Sequence, residues 1–279
     1  MKIAVLSGKG GTGKTLVSVN LASVATQSIY VDCDVEEPNG ALFFKPKEVE
    51  EARVSVKIPV VDHEKCTGCR KCVDFCKFNA LAFINQRVKV FETICHSCGG
   101  CSLVCPEKAI YEKDKGIGTV EEGYSEGVKV ITGKLYTGEE TGVPIIKKLL
   151  ERIEDERATT IIDCPPGSSC MVMESIKDAD YCVLVAEPTT FGVHNLRMVH
   201  ELVKLFEKPY GCVLNKCFDG INPSEVFCEA HNIPIIARIP FSHQLGSLNS
   251  NGEIVTRKDA HYKALFETLL SDIMEGRQL

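Results

Sequence analysis

Eight cysteines fall in two runs of the same step, Cys66, Cys69, Cys72, Cys76 and Cys95, Cys98, Cys101, Cys105, with their first members 29 residues apart. Soft thiolates suit iron–sulfur clusters, and where two clusters share a chain each such run gives three ligands to one and its fourth to the other. That logic predicts one 4Fe–4S cluster on Cys66, Cys69, Cys72 and Cys105, and a second on Cys95, Cys98, Cys101 and Cys76. Paired CxxC motifs also build structural zinc sites, so zinc is the competing chemistry, although it needs only two cysteines of each run. Pro106 follows the second run, but Lys77 stands after the first. That exchange removes a turn constraint and no ligand, and leaves a lysine that is either simply solvated or able to raise a nearby cluster's potential. His96 lies among ligands already complete in number and reads as a neighbour of the site.

A second chemistry is written at "GKGGTGKT", Gly8 to Thr15, which fits the phosphate-loop pattern G-x-x-x-x-G-K-S/T. Gly8, Gly10, Gly11 and Gly13, with Thr12 between them, would let backbone N–H groups face phosphate oxygens. Lys14 would reach the β- and γ-phosphates, and the Thr15 hydroxyl would ligate Mg²⁺. A glycine loop alone is only a tight turn; the lysine and threonine between a strand and a helix give it a ligand.

Those residues need rigid elements to hold them. "KIAVLS" (Lys2 to Ser7) reads as a buried strand, Lys14 to Gln27 as a helix, and "SIYVDCD" (Ser28 to Asp34) as the next strand. This βαβ opening predicts an α/β fold with a doubly wound, mostly parallel sheet. "TTIIDCPPG", "YCVLVAEPT", "YGCVLNK" and "IPIIARIPF" read as further buried strands, with helices over Val193 to Glu207, Ser224 to His231 and Lys258 to Met274. Between about Ile58 and Lys115 the chain turns cysteine-rich and short-ranged, and "KDKGIGTVEEGYSEG" reads as a Gly- and Glu-rich connector. The expected organisation is a nucleotide domain in two parts, residues 1–57 and 116–279, around an inserted α+β module, residues 58–115.

At this point resemblances become specific. "KGGTGKT", with a second lysine at Lys9, resembles the MinD/Mrp/ParA family of P-loop ATPases, and residues 58 to 112 resemble the bacterial-type two-cluster ferredoxin. The first resemblance implies ATP and Mg²⁺ as cofactors and an ATP-sandwiched homodimer, or a dimer with a paralogue, in which Lys9 reaches the partner's nucleotide. It further implies that Lys9, Lys14 and Asp34 serve catalysis, with Asp34 positioning the attacking water. Asp163 and Asp32 would lie in the Mg²⁺ environment, and Gly167 would sense the γ-phosphate through its N–H. Asn215 and Pro240 would lie at the base. Aspartates ending buried strands also serve as caps, and an asparagine after a strand also makes turns.

The combined expectation is an ATPase that couples the nucleotide state of a dimer to electron transfer through two 4Fe–4S clusters, with an unidentified redox partner protein. The alternative is an Mrp-like carrier or assembly factor for a metal or iron–sulfur cofactor; a MinD- or ParA-like organiser with redox sensing fits less well. A net charge of −6 disfavours nucleic acid as partner, because nonspecific binding needs a basic field. No apolar run approaches the roughly 18 residues of a membrane span, and the tail "LLSDIMEGRQL" is not a basic amphipathic anchor. The start leaves no room for a signal peptide, so the fifteen cysteines point to a cytoplasmic metalloprotein rather than a disulfide scaffold. The other seven cysteines read as small core hydrophobes, with Cys33, Cys164 and Cys170 near the expected Mg²⁺ site.

Overall fold

The computed structural model describes residues 1–153 and 157–276. β1 (Lys2–Leu6), α1 (Lys14–Val24), β2 (Ser28–Asp32) and α2 (Gly40–Phe44) form the opening unit. β3 (Lys47–Val61) leads into a small module of α3 (Lys71–Phe75), β4 (Leu81–Ile84), β5 (Arg87–Val90) and α4 (Gly100–Leu103), and β6 (Ile110–Ser125) leads back. β7 (Val128–Leu135), α5 (Val143–Glu151), β8 (Thr159–Asp163), α6 (Cys170–Ile176), β9 (Tyr181–Ala186) and α7 (Thr190–Leu205) follow. The chain continues with β10 (Tyr210–Cys217), α8 (Pro223–Ala230), β11 (Ile235–Pro240), α9 (His243–Ser250) and α10 (Ala260–Met274).

One sheet runs β11-β10-β9-β1-β8-β2-β7-β6-β3, parallel from β11 to β7 and antiparallel at β6 and β3. Helices cover both faces. Successive residues of β1 alternate between two cores: Ala4 and Leu6 join the layer under α5, α6 and α7, whereas Ile3 and Val5 join the layer under α1 and α10. Burial on both sides is why these strands read as unbroken apolar runs.

The expected connector at residues 113–127 is not one. Most of it is β6, which pairs with β3 from Val61 opposite Ile110 to Lys47 opposite Tyr124, and with β7 on its other side. Its glycines mark close approach, not slack: a Cβ on Gly118 would stand 2.1 Å from the Lys134 carbonyl oxygen. Its glutamates are ion-paired, Glu121 to Lys134 at 2.5 Å and Glu122 to Lys129 at 2.8 Å. The expected edges at residues 58 and 115 therefore fall inside two continuous strands. Beyond them Cys72, Leu81, Val88, Cys101 and Ile110 form a separate small core, so the module hangs on an antiparallel ribbon whose root lies in the main sheet.

Candidate nucleotide and cysteine sites

The glycine loop follows β1 at the centre of the sheet, where the strand order reverses and open α/β sheets bind ligands. It borders a cleft of about 1100 Å³. Lys9, Gly10, Gly11, Gly13, Lys14, Thr15, Asp34, Asn215 and Pro240 line it together. Gly8 instead packs against the Asn195 backbone, and Thr12 is buried with its hydroxyl 3.4 Å from the Lys9 carbonyl. Gly13 caps α1 in the left-handed region (φ 96°), and the Asn215 amide occupies the space a Cβ would need.

Asn215 is engaged twice, once on the loop and once on its own strand. Its Nδ2 donates to the Thr12 carbonyl at 2.7 Å, and its Oδ1 accepts from the Lys216 N–H at 2.9 Å. Here it braces the phosphate loop, and the two bonds use one of its two amide hydrogens and one of its oxygen lone pairs. The Gly167 N–H likewise donates to the Ser7 carbonyl at 2.9 Å. Lys9 is ion-paired to Glu187 and lies over the Phe191 ring, 5.0 Å from its centroid. Lys216 Nζ donates to the Gly11 carbonyl at 2.7 Å.

Beneath the loop three carboxylates share one cation. Lys14 Nζ is 2.7 Å from Asp163 Oδ1 and 3.9 Å from Asp34 Oδ2. Asp32 Oδ1 accepts from the Asp34 N–H (3.2 Å) and Oδ2 from the Gly40 N–H (2.8 Å). Burial, with Asp163 adding to it, pushes the Asp32 carboxyl up to about 7. Burial, opposed by Lys14 and reinforced by Asp163, pushes Asp34 up to about 6. Burial works against the Lys14 ammonium, yet attraction to Asp163 and the other carboxylates holds its pKa above the ordinary value. The cluster is short of positive charge, and its donors with Thr15 are hard oxygens, so its chemistry fits Mg²⁺. Among the described residues no three His, Cys, Asp or Glu side chains converge on a single-ion site.

Sequence reasoning missed Tyr30, Glu187 and Lys216. Tyr30 carries a readable signal, a polar-tipped aromatic in a strand buried at every position. Glu187 and Lys216 stand at strand ends and carry none.

The two cysteine runs fold as a repeat. Gly68 and Ser97, two residues past each first cysteine, both have positive φ, as do Arg70 and Gly99, then Asn79 and Lys108. α3 and α4 occupy equivalent places. Lys77 and Pro106 are equivalent too, and the left-handed turn after each is the same, so loss of the proline leaves the backbone path unchanged.

Cys66, Cys69, Cys72 and Cys105 line one tight pocket, and Cys76, Cys95, Cys98 and Cys101 line another of about 520 Å³. These are the two crossed quartets, and each surrounds a space instead of closing on one point. The Ala109 N–H donates to Cys105 Sγ at 3.3 Å. His96 stacks on Phe78 with centroids 3.8 Å apart, and both cover the second pocket, as does exposed Lys77. Cys33, Cys164, Cys182, Cys212 and Cys228 are buried in the nucleotide domain's core, as small hydrophobes are; Cys217 is half-buried and Cys170 exposed.

No helix among the described residues is long and apolar enough to cross a membrane. Residues 3–255 match the CobQ/CobB/MinD/ParA nucleotide binding domain. The chain is 31% identical to an uncharacterized protein of Methanocaldococcus jannaschii, MJ0578, over 96% of each chain. Over 58 residues it is 36% identical to an uncharacterized ferredoxin of the same organism, MJ0722, which covers 19% of this chain and 75% of that one. The cell division ATPase MinD of Pyrococcus furiosus superposes with a TM-score of 0.61 over 99% of each chain at 18% identity, a likeness of fold. A nucleotide-binding match over nearly the whole length, on a phosphate loop set at the switch point of a parallel sheet, settles the family: this chain belongs to the CobQ/CobB/MinD/ParA nucleotide-binding proteins.

Proposed function

We propose that the protein binds and hydrolyses MgATP as a dimer and couples its nucleotide state to electron transfer through two 4Fe–4S clusters. The observation that carries the reading is the pair of crossed cysteine quartets, each around its own pocket, on a ribbon continuous with the nucleotide domain's sheet. Cys66, Cys69, Cys72 and Cys105 would hold one cluster, and Cys95, Cys98, Cys101 and Cys76 the other, which supply one-electron chemistry when bound. The match to a protein named a ferredoxin supports that assignment. Lys14 and Thr15 would hold the phosphates and Mg²⁺, Asp163 would face the metal, and Asp34 would orient the attacking water. Lys9 would leave Glu187 to reach the nucleotide of a second copy.

The two sites have a mechanical link. The Leu135 N–H at the end of β7 donates to the carbonyl of Val35, next to Asp34, and the Tyr136 N–H donates to the Ile117 carbonyl of β6 at 2.9 Å. A shift of the Asp34 segment therefore pulls on the ribbon that bears the cysteines. A carrier role would call for a labile cluster at the switch cysteines. Cys33 and Cys164 are wholly buried there, away from any acceptor of a labile cluster, and of the three switch cysteines only Cys170 is exposed.

EPR of the anaerobically purified, reduced protein with and without MgATP tests the reading. Two 4Fe–4S signals whose shape or potential shifts with MgATP are expected. Zinc in place of iron would end it, and clusters indifferent to MgATP would remove the coupling.

A further inference from the structure

We propose that Tyr30 is a positioning residue of the nucleotide site: its phenol pins one oxygen of Asp163, so that the other is the oxygen offered to Lys14 and then to a divalent cation. The inference rests on the MgATP reading above and adds a residue to it.

Tyr30 lies on β2 with no exposed surface, flanked by Ile29 and Val31. Its hydroxyl donates to Asp163 Oδ2 at 2.9 Å, across the neighbouring strand β8. A buried phenol needs such a partner, and one bonded to a carboxylate makes a stronger hydrogen bond than a neutral pair. The ring also touches Phe44 at the end of α2, with centroids 4.9 Å apart and planes at 50°, a contact that does not reach the hydroxyl's partner. Asp163 is thus gripped at both oxygens, Oδ2 by Tyr30 and Oδ1 by Lys14.

The two grips differ in permanence. Lys14 is a flexible side chain whose expected place in the bound state is on the phosphates. Tyr30 is locked in the core and stays. When Lys14 leaves, Oδ1 is freed while the Tyr30 hydrogen bond keeps the carboxylate from turning. Both Asp32 oxygens accept from backbone N–H groups that stay in place when Lys14 moves, so no oxygen of Asp32 is newly released. The geometry therefore makes Asp163, set by Tyr30, the metal-facing carboxylate, and leaves Asp32 to organise the loop from Asp34 to Gly40. Partners of this kind, one step behind a ligand, typically change metal affinity by about 10- to 100-fold when removed.

Tyr30→Phe deletes one oxygen and keeps the ring. Binding of a fluorescent ATP analogue is measured in EDTA and across a Mg²⁺ titration for the unaltered protein, Tyr30→Phe and Phe44→Leu. The expected result is an apparent Mg²⁺ half-saturation raised about tenfold in Tyr30→Phe, with metal-free nucleotide affinity unchanged and Phe44→Leu normal in both. An unchanged Mg²⁺ requirement overturns the proposal, as does an equal loss with and without metal in both variants, which would mark a packing role. If Tyr30→Phe does not fold, the near-UV difference spectrum of the unaltered nucleotide complex on adding Mg²⁺ decides: a tyrosine signal supports the proposal and a blank spectrum overturns it. Failure of the unaltered protein to bind the analogue with Mg²⁺ would instead overturn the MgATP reading beneath it.

Discussion

Replacing Asp32 by Asn is expected to stabilise the metal-free protein while weakening its MgATP site. Asp32 is 1% exposed, its carboxyl is pushed up to about 7 from a usual 3.8, and burial is the leading cause. Between those values the folded state holds a proton that the unfolded chain has released, so stability falls as pH rises and the penalty is complete above about 7. At 1.36 kcal/mol per unit this penalty reaches about 4 kcal/mol. Asn carries no charge, but it keeps one acceptor oxygen for two backbone donors, and the orphaned N–H costs about 1–3 kcal/mol. The variant should therefore gain roughly 1–3 kcal/mol at pH 8, and its advantage should vanish or reverse at pH 4. Urea unfolding followed by far-UV circular dichroism, without nucleotide and in EDTA, measures this at both pH values. An advantage of equal size at both would refute the argument that the carboxylate cluster lacks positive charge, and with it the reason given for room for a dication. The same variant should bind MgATP more weakly, a trade of function for stability at a strained charged site.

Lys14→Ala strands Asp163 without its buried cation and should cost about 3–5 kcal/mol in the same unfolding assay, together with nucleotide binding. Crossed ligation predicts that Cys105→Ser and Cys72→Ser perturb the same EPR signal, while Cys76→Ser and Cys101→Ser perturb the other. Finding Cys105 and Cys101 paired would reverse the assignment. Lys9→Ala should still bind nucleotide as a monomer but lose ATP-dependent dimerisation by light scattering; a normal dimer would remove the role of Lys9 in its partner's site.

Much of the molecule is local in origin and so was legible in the chain. The phosphate loop needs glycines, Lys14 and Thr15 at fixed spacing between a strand and a helix, and the structure has them there. The cysteine steps repeat because each run wraps a space with the same left-handed turns, even where Lys77 replaces proline. Strands of the parallel sheet show as apolar runs because both of their faces are buried. What escaped the reading depends on residues far apart in sequence. β6 looked like a linker because glycine and glutamate are poor strand formers on their own. Two flanking strands, ion pairs and a close crossing at Gly118 make a strand of them. Asn215 could be placed near the nucleotide from its motif, but only the fold shows its amide engaged by Thr12 and Lys216. Lys9 is announced by its motif, and its tether to Glu187 is not. The grip of Tyr30 on Asp163 spans 133 residues. Local spacing specifies which groups can do chemistry, because loops and turns are short-range. Which oxygen of Asp163 meets Tyr30, and which cation answers its buried charge, is decided by strands brought side by side.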